Sequence, residues 1–150
     1  MLFRSGFSGE AAGQRAADSG SRVMIYADGY YRNGKIIDHK ASADIAVQTA
    51  LNEGHKIEKV LIWRRHHGLS LSTKSHVQGR DYFMDEVLKN FKRAKVDPVS
   101  MNAEDPLFLM YTSGSTGKPK GCQHSTGGYL AYVTGTSKYY QDIQDRKSVV

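Results

Sequence analysis

The sequence predicts an α/β fold: a mostly parallel sheet flanked by helices. Two observations carry this. Short apolar runs alternate along the chain with segments patterned as helices, the order that builds parallel sheets. Three of those runs, residues 23–27, 60–63 and 107–111, do not alternate apolar with polar residues, which suits strands covered on both faces. No internal repeat of solenoid period competes with this reading.

The elements follow in order. Residues 8–19 are rich in helix formers, with Ser8 as N-cap and Gly20 just past the end. Val23-Met24-Ile25-Tyr26-Ala27 reads as a buried strand bounded by Asp28-Gly29, and residues 28–34 read as a turn. A second helix is expected over 44–51, stopped by Gly54, and a second buried strand over Val60-Leu61-Ile62-Trp63, with Trp63 in the core. Residues 66–79 are polar and loop-like. A third helix is expected over 80–94, with Tyr82, Phe83, Val87, Leu88 and Phe91 on one stripe. Leu107-Phe108-Leu109-Met110-Tyr111 reads as a third buried strand, and another helix starts within 128–133.

Composition narrows the function classes. The 150 residues carry a net charge of +6, with 39% hydrophobic and 10% aromatic side chains, enough for a packed core. No apolar run approaches the roughly 20 residues of a membrane helix. The lone Cys122 excludes a disulfide-stapled domain. A basic balance points to an anionic partner: nucleic acid, lipid headgroup or a phosphorylated small molecule. Residues 1–5 and 145–150 are expected to be non-native ends, since Leu-Phe-Arg-Ser and Asp-Arg-Lys-Ser-Val-Val are what sequencing-adapter DNA encodes. On that reading a missing targeting signal carries no weight.

The most informative stretch runs from Tyr111 to Gly121, directly after an expected strand. Strand carboxyl ends are where α/β sheets bind ligands. Gly114, Gly117 and Gly121 allow tight turns and close approach. Successive amides in such a turn form an anion-binding nest. Thr112, Ser113, Ser115 and Thr116 add hydroxyl donors, Lys118 and Lys120 add point charges, and no acidic side chain interrupts. This is chemistry suited to a polyphosphate. The Walker pattern is excluded, because Pro119 stands where it requires the second glycine.

Thr112-Ser113-Gly114-Ser115-Thr116-Gly117-Lys118-Pro119-Lys120-Gly121 resembles the phosphate-loop signature of the adenylate-forming enzymes (acyl-CoA synthetases, adenylation domains and luciferases) at all ten positions. The flanks are similar to the acetyl-CoA synthetase branch: residues 103–108 before the loop, 124–130 after it, and upstream 6–11 and 27–37. The resemblance runs from about Gly6 to about Asp142 and is weakest over 66–79. It implies that residues 6–142 are a fragment of the large N-terminal, AMP-binding domain of such an enzyme. That enzyme would be an AMP-forming acetate–CoA ligase, which activates acetate with ATP to acetyl-adenylate and passes the acetyl group to coenzyme A.

The resemblance also implies residue roles. Thr112 to Gly117, with Lys120 as the catalytic residue, would hold the β- and γ-phosphates, and Lys118 would be more exposed. Arg32, Asn33, Gly34 and Lys35 match the contact for the nucleotide end of coenzyme A; a guanidinium fork and a point charge on a turn suit a phosphate. Mg²⁺ is expected with ATP, with its carboxylate ligand outside this sequence. Adenine and ribose segments, acyl pocket, hinge and a C-terminal lysine are missing, so the chain alone is expected to be inactive. The implied partners are acetate, ATP and coenzyme A, with no nucleic acid and no membrane, and the implied compartment is the cytoplasm. Alternatives are a propionyl- or other short-chain acyl-CoA synthetase and, in another class, a non-catalytic nucleotide- or RNA-binding module.

Other features read as structural. His66, His67 and His76 match no zinc spacing. Lys89, Lys92, Arg93 and Lys95 read as the wet, basic end of the third helix. His124 reads as a loop or helix-start residue, and Cys122 as a small packing residue.

Overall fold

The computed structural model describes residues 8–65, 76–91, 94–112 and 120–143. The chain divides into two compact units, with the boundary in sequence between Lys95 and Val96.

The first unit is built around a parallel sheet. Helix α1 (Gly9–Asp18) opens with Ser8, whose Oγ accepts from the Ala11 amide at 3.2 Å, and closes before Gly20 at φ +65°. Strand β1 (Val23–Ala27) leads into a ribbon of β2 (Gly29–Arg32) and β3 (Lys35–Asp38), then helix α2 (Lys40–Asn52) and strand β4 (Lys59–Trp63). Strand β5 (Asp81–Phe83) and the short helix α3 (Met84–Lys89) complete it. The sheet order is β1-β4-β5, parallel throughout, with Val23 opposite Lys59 and Val60 opposite Asp81. Its core joins Met24, Tyr26, Val60 and Ile62 to Ile57 and to alanines of the two helices, Ala12, Ala16, Ala43, Ala46 and Ala50. Small side chains let α1 and α2 approach closely. A Cβ on Gly13 would stand 2.5 Å from the Ala46 carbonyl oxygen.

A partly buried ion cluster ties α2 to β5. Lys40 Nζ lies 2.5 Å from Asp44 and 3.2 Å from Asp81, and Arg80 bridges the same two carboxylates at 2.6 and 2.5 Å. Burial pushes the Asp81 carboxyl up, but the Arg80 guanidinium, the Val77 amide and Lys40 outweigh it, so Asp81 titrates below its ordinary value. Arg80 is held above its ordinary value, chiefly by its hydrogen bond to Asp81.

The second unit is an antiparallel hairpin, β6 (Pro106–Thr112) and β7 (Lys120–Ser125), followed by helix α4 (Thr126–Tyr139).

The α/β expectation holds, and α1, β1 and β4 fall within a residue of where the sequence places them. Several local readings need correction. Residues 28–34 are more than a turn: they enter a hairpin whose strands flank Asn33-Gly34. Residues 81–83 are a strand, because Tyr82 and Phe83 pair with Leu61 and Ile62, and the helix shrinks to 84–89. Of the basic residues expected at that helix's end, Lys89 alone lies in α3; Lys95 lies beyond it, and Lys92 and Arg93 fall outside the described residues, as do His66 and His67. The run 107–111 is a strand, but it pairs antiparallel with β7, and Leu107, Leu109 and Met110 are exposed; an apolar run alone does not fix the partner's direction. Trp63, expected in the core, is 55% exposed because it points away from the core on the last residue of β4. Cys122 is likewise exposed on β7 rather than packed.

Candidate functional site

In the first unit the carboxyl ends of β1 and β4 carry the β2–β3 hairpin. Asp28, buried at the end of β1, anchors it. Its Oδ1 accepts from the Gly29 amide at 2.8 Å and the Arg65 amide at 3.1 Å, and its own amide donates to the Trp63 carbonyl at 3.0 Å. His39, buried where β3 meets α2, donates its amide to the Asp28 carbonyl at 3.0 Å. The His39 ring lies 3.2 Å from the Ala27 carbonyl through Nδ1 and 4.7 Å from the Tyr30 ring. Both legs of the hairpin are thus fixed to the sheet.

At the free end, Asn33 (φ +51°) and Gly34 (φ +72°) form a two-residue turn with both φ positive, which matches the twist of the flanking strands. Arg32 and Lys35 sit opposite one another across that turn, and all four residues are exposed. The expected cluster of Arg32, Asn33, Gly34 and Lys35 is therefore a single cationic tip. An anion there would meet a guanidinium fork and an ammonium with no carboxylate between them.

Directly after β4 another cation, Arg64, is already committed. Arg64 stacks over the Phe83 ring at 4.3 Å and is paired with Asp85 and, at 3.1 Å, with Glu86. Its hydrogen bond to Asp85 raises Arg64 and lowers Asp85 from their ordinary values. His76 stacks on the same Phe83 at 5.4 Å and lines a cavity of about 230 Å³ with Gln78, Tyr82 and Glu86.

In the second unit the glycine-rich stretch lies in the chain between β6 and β7. Thr112 and Lys120 face each other as the last pair of the two strands, both exposed. Ser113, Gly114, Ser115, Thr116, Gly117 and Lys118 lie outside the described residues. Behind the last pair Tyr111 faces Gly121, and a Cβ on Gly121 would lie 3.2 Å from the Tyr111 ring, so the glycine makes room for the aromatic edge. His124 is in β7 rather than a loop, stacked on Phe108 at 4.6 Å. The strands thus set Lys120 opposite Thr112 at the last pair before the loop, and an ammonium and a hydroxyl are donors suited to phosphate oxygens. Among the described residues no group of three His, Cys, Asp or Glu could hold a metal ion, and no helix is long and apolar enough to cross a membrane.

The family model described as "AMP-binding enzyme" matches residues 2–150. The chain belongs to the AMP-binding enzyme family. Among curated relatives, an acetyl-coenzyme A synthetase of Bartonella quintana is 46% identical over 140 residues, covering 92% of this chain and 20% of the relative. A 3-hydroxypropionyl-coenzyme A synthetase of Sulfurisphaera tokodaii is 44% identical over 126 residues, covering 84% and 18%. Among solved structures, an acetoacetyl-CoA synthetase from Streptomyces lividans matches with a TM-score of 0.65 at 21% identity, covering 91% of this chain and 19% of that one; at that identity it speaks for the fold. The chain spans about a fifth of the length of the curated relatives it matches.

Three features of this AMP-binding chain escape sequence reasoning. Asp28 and His39 anchor the cationic tip, yet their contacts join residues up to 37 apart. The Asn33-Gly34 dipeptide between Tyr31 and Ile36 was the available signal for the hairpin. The pairs Lys40–Asp44 and Arg80–Asp81 are local, but nothing in the sequence shows that the two join, 36 residues apart, in one cluster.

Proposed function

We propose that residues 6–142 are part of the large N-terminal domain of an AMP-forming acetate–CoA ligase, with residues 1–5 and 145–150 foreign to it. The supporting observation is the pairing of Lys120 with Thr112 at the mouth of a loop whose ten-residue sequence is rich in donors and cations and carries no acidic side chain. Adenylation of a carboxylate builds negative charge on the departing pyrophosphate. Fixed cations and amides aimed at that charge lower the barrier without reorganising. Lys120, held on a strand, supplies a positioned ammonium for the β- and γ-phosphates. Thr112 supplies a hydroxyl from the facing strand, and residues 113–118 supply amides and hydroxyls. Arg32 and Lys35 hold a phosphate at the nucleotide end of coenzyme A, placed by the Asn33-Gly34 turn. Mg²⁺ would come with ATP, held by the phosphates and by a carboxylate outside this sequence.

Acetate is the favoured acid because acetyl-coenzyme A synthetases are prominent among the relatives; propionate and 3-hydroxypropionate would use the same chemistry. The compartment that supplies ATP and coenzyme A is the cytoplasm. The test is expression of the full-length coding sequence and measurement of AMP release with acetate, propionate and 3-hydroxypropionate. Expected is coenzyme A-dependent AMP release, greatest with acetate. Absence of AMP release with every short acid would overturn the reading, and tight RNA binding in its place would favour a nucleic-acid module.

A further inference from the structure

The β6–β7 hairpin has a register that neither its loop nor its hydrophobic pattern can set. Residues 113–119 join the strands, a connection long enough to absorb a one-residue slip, unlike a two-residue turn. Strand β6 is apolar from Leu107 to Tyr111, so its two faces look alike, and β7 opposes it with Gly121, Cys122, Gln123 and His124. Register is weakly specified in such strands, and a slip of one residue carries every side chain to the other face. The observed pairs are Phe108 with His124, Met110 with Cys122 and Thr112 with Lys120, all on one face. A slip would turn Lys120 onto the opposite face, that of Tyr111.

The determinants lie at the far end of the hairpin. Pro106 faces Ser125 but Phe108 faces His124, so Leu107 is an extra residue, a bulge that fixes the count. Just beyond it the Asp105 carbonyl accepts from both the Thr126 amide (2.9 Å) and the Thr126 Oγ1 hydroxyl (3.0 Å), while the Gly127 amide donates to the Ala103 carbonyl at 2.8 Å. The turn that offers these carbonyls is itself closed, with the Asn102 amide donating to Asp105 Oδ2 at 2.7 Å and the Asp105 amide to the Asn102 carbonyl at 3.1 Å. Gly127 approaches so closely that a Cβ there would lie 2.7 Å from Ala103 Cβ and 3.0 Å from its Cα. Tyr129 of α4 then meets Phe108 edge-on at 4.9 Å, over the Phe108–His124 stack.

We propose that this clamp, Ala103 and Asp105 against Thr126 and Gly127, sets the register of the hairpin, and that Thr126 and Gly127 are thereby positioning residues for Lys120. The consequence for Lys120 rests on the proposed function; the register assignment does not.

The register is read in the 150-residue chain by cross-linking. Cys122 is exposed opposite the half-exposed Met110, so Met110→Cys with oxidised glutathione reports the observed register, and Leu109→Cys or Tyr111→Cys reports a slip either way. Expected is a dominant disulfide from position 110 to Cys122 when Met110→Cys is made in the parent or together with Thr126→Ser, which keeps the hydroxyl. In Gly127→Val, and more weakly in Thr126→Val, that yield falls roughly fivefold while the cross-link from position 109 or 111 rises. An unchanged yield from position 110 in Gly127→Val would overturn the proposal. So would yields falling alike at 109, 110 and 111, since the clamp would then hold the hairpin together without choosing its register.

The positioning role is read after exchanging residues 6–142 for the aligned segment of the Bartonella quintana synthetase. Gly127→Val is expected to lower kcat/KM for ATP in acetate-dependent pyrophosphate exchange roughly tenfold, leave transfer from supplied acetyl-adenylate to coenzyme A unchanged, and have no counterpart in Thr126→Ser. Equal loss in both half-reactions would mark a merely structural role and overturn it. Should Lys120→Ala also leave exchange untouched, the assignment of Lys120 fails, and the cross-linking result still decides the register.

Discussion

Gly13→Ala adds one methyl at the tightest approach of α1 to α2. In an exposed helix interior this change stabilises by about 1 kcal/mol, because alanine gives up less backbone freedom than glycine. At Gly13 the new Cβ would lie 2.5 Å from the Ala46 carbonyl oxygen and 2.6 Å from Thr49 Cβ. Comfortable contact is about 3.5–4 Å, and a helical carbonyl cannot swing aside, so the helices must part by about 1 Å. Parting them loosens the alanine seam of Ala12, Ala16, Ala43, Ala46 and Ala50, all essentially inaccessible. Overpacking against backbone sits near the top of its usual range, about 3 kcal/mol. Subtracting the propensity gain leaves about 2 kcal/mol of destabilisation, or a Tm lowered by about 5–10 °C. Urea and thermal unfolding of the 150-residue chain, followed by far-ultraviolet circular dichroism, measures it. Gly135→Ala in α4 is the matched control, since nothing lies within 4 Å of a Cβ there; it is expected to be neutral or slightly stabilising. A Gly13→Ala chain as stable as its parent would refute the close-packed seam.

Asp81 makes stability acid-sensitive in a defined sense. Its folded-state pKa lies below the ordinary 3.8, so its contribution is complete above that value and is lost as pH falls through the lowered one. Asp81→Asn is expected to cost about 3 kcal/mol near neutrality, since it leaves Lys40 and Arg80 sharing Asp44, and to flatten the fall of Tm as pH drops below the ordinary 3.8. A variant with the parent's acid slope would contradict this. In the chimaeric synthetase, Arg32→Ala with Lys35→Ala is expected to raise the KM for coenzyme A by about 10- to 100-fold while leaving pyrophosphate exchange intact. An equal loss with a coenzyme A analogue lacking the 3′-phosphate would place that phosphate elsewhere.

Much of the first unit was legible locally. Ser8 and Gly20 mark the ends of α1 by capping chemistry, and the runs ending at Ala27 and Trp63 stop where turn residues begin. Residues 81–83 were not, because aromatic residues at helical spacing also fit a short strand, and only pairing with β4 decides between them. The run 107–111 misled in the same way: its composition suits a covered parallel strand, yet its partner is the polar β7 arriving by a hairpin. The family resemblance of the glycine-rich stretch after β6 rests on residue order rather than composition. What surrounds that stretch was not legible, since the contact of Thr126 with Asp105 joins residues 21 apart and that of Arg65 with Asp28 joins residues 37 apart.

Lys120 carries the functional reading, and its removal is the most direct measurement. In the chimaeric synthetase, Lys120→Ala should slow acetate-dependent pyrophosphate–ATP exchange by about 100- to 1,000-fold, the usual loss for one charge-stabilising donor. Formation of acetyl-CoA from supplied acetyl-adenylate should hold within about threefold. Exchange at the parent rate in a folded Lys120→Ala protein would contradict the assignment of this lysine to the phosphates of ATP.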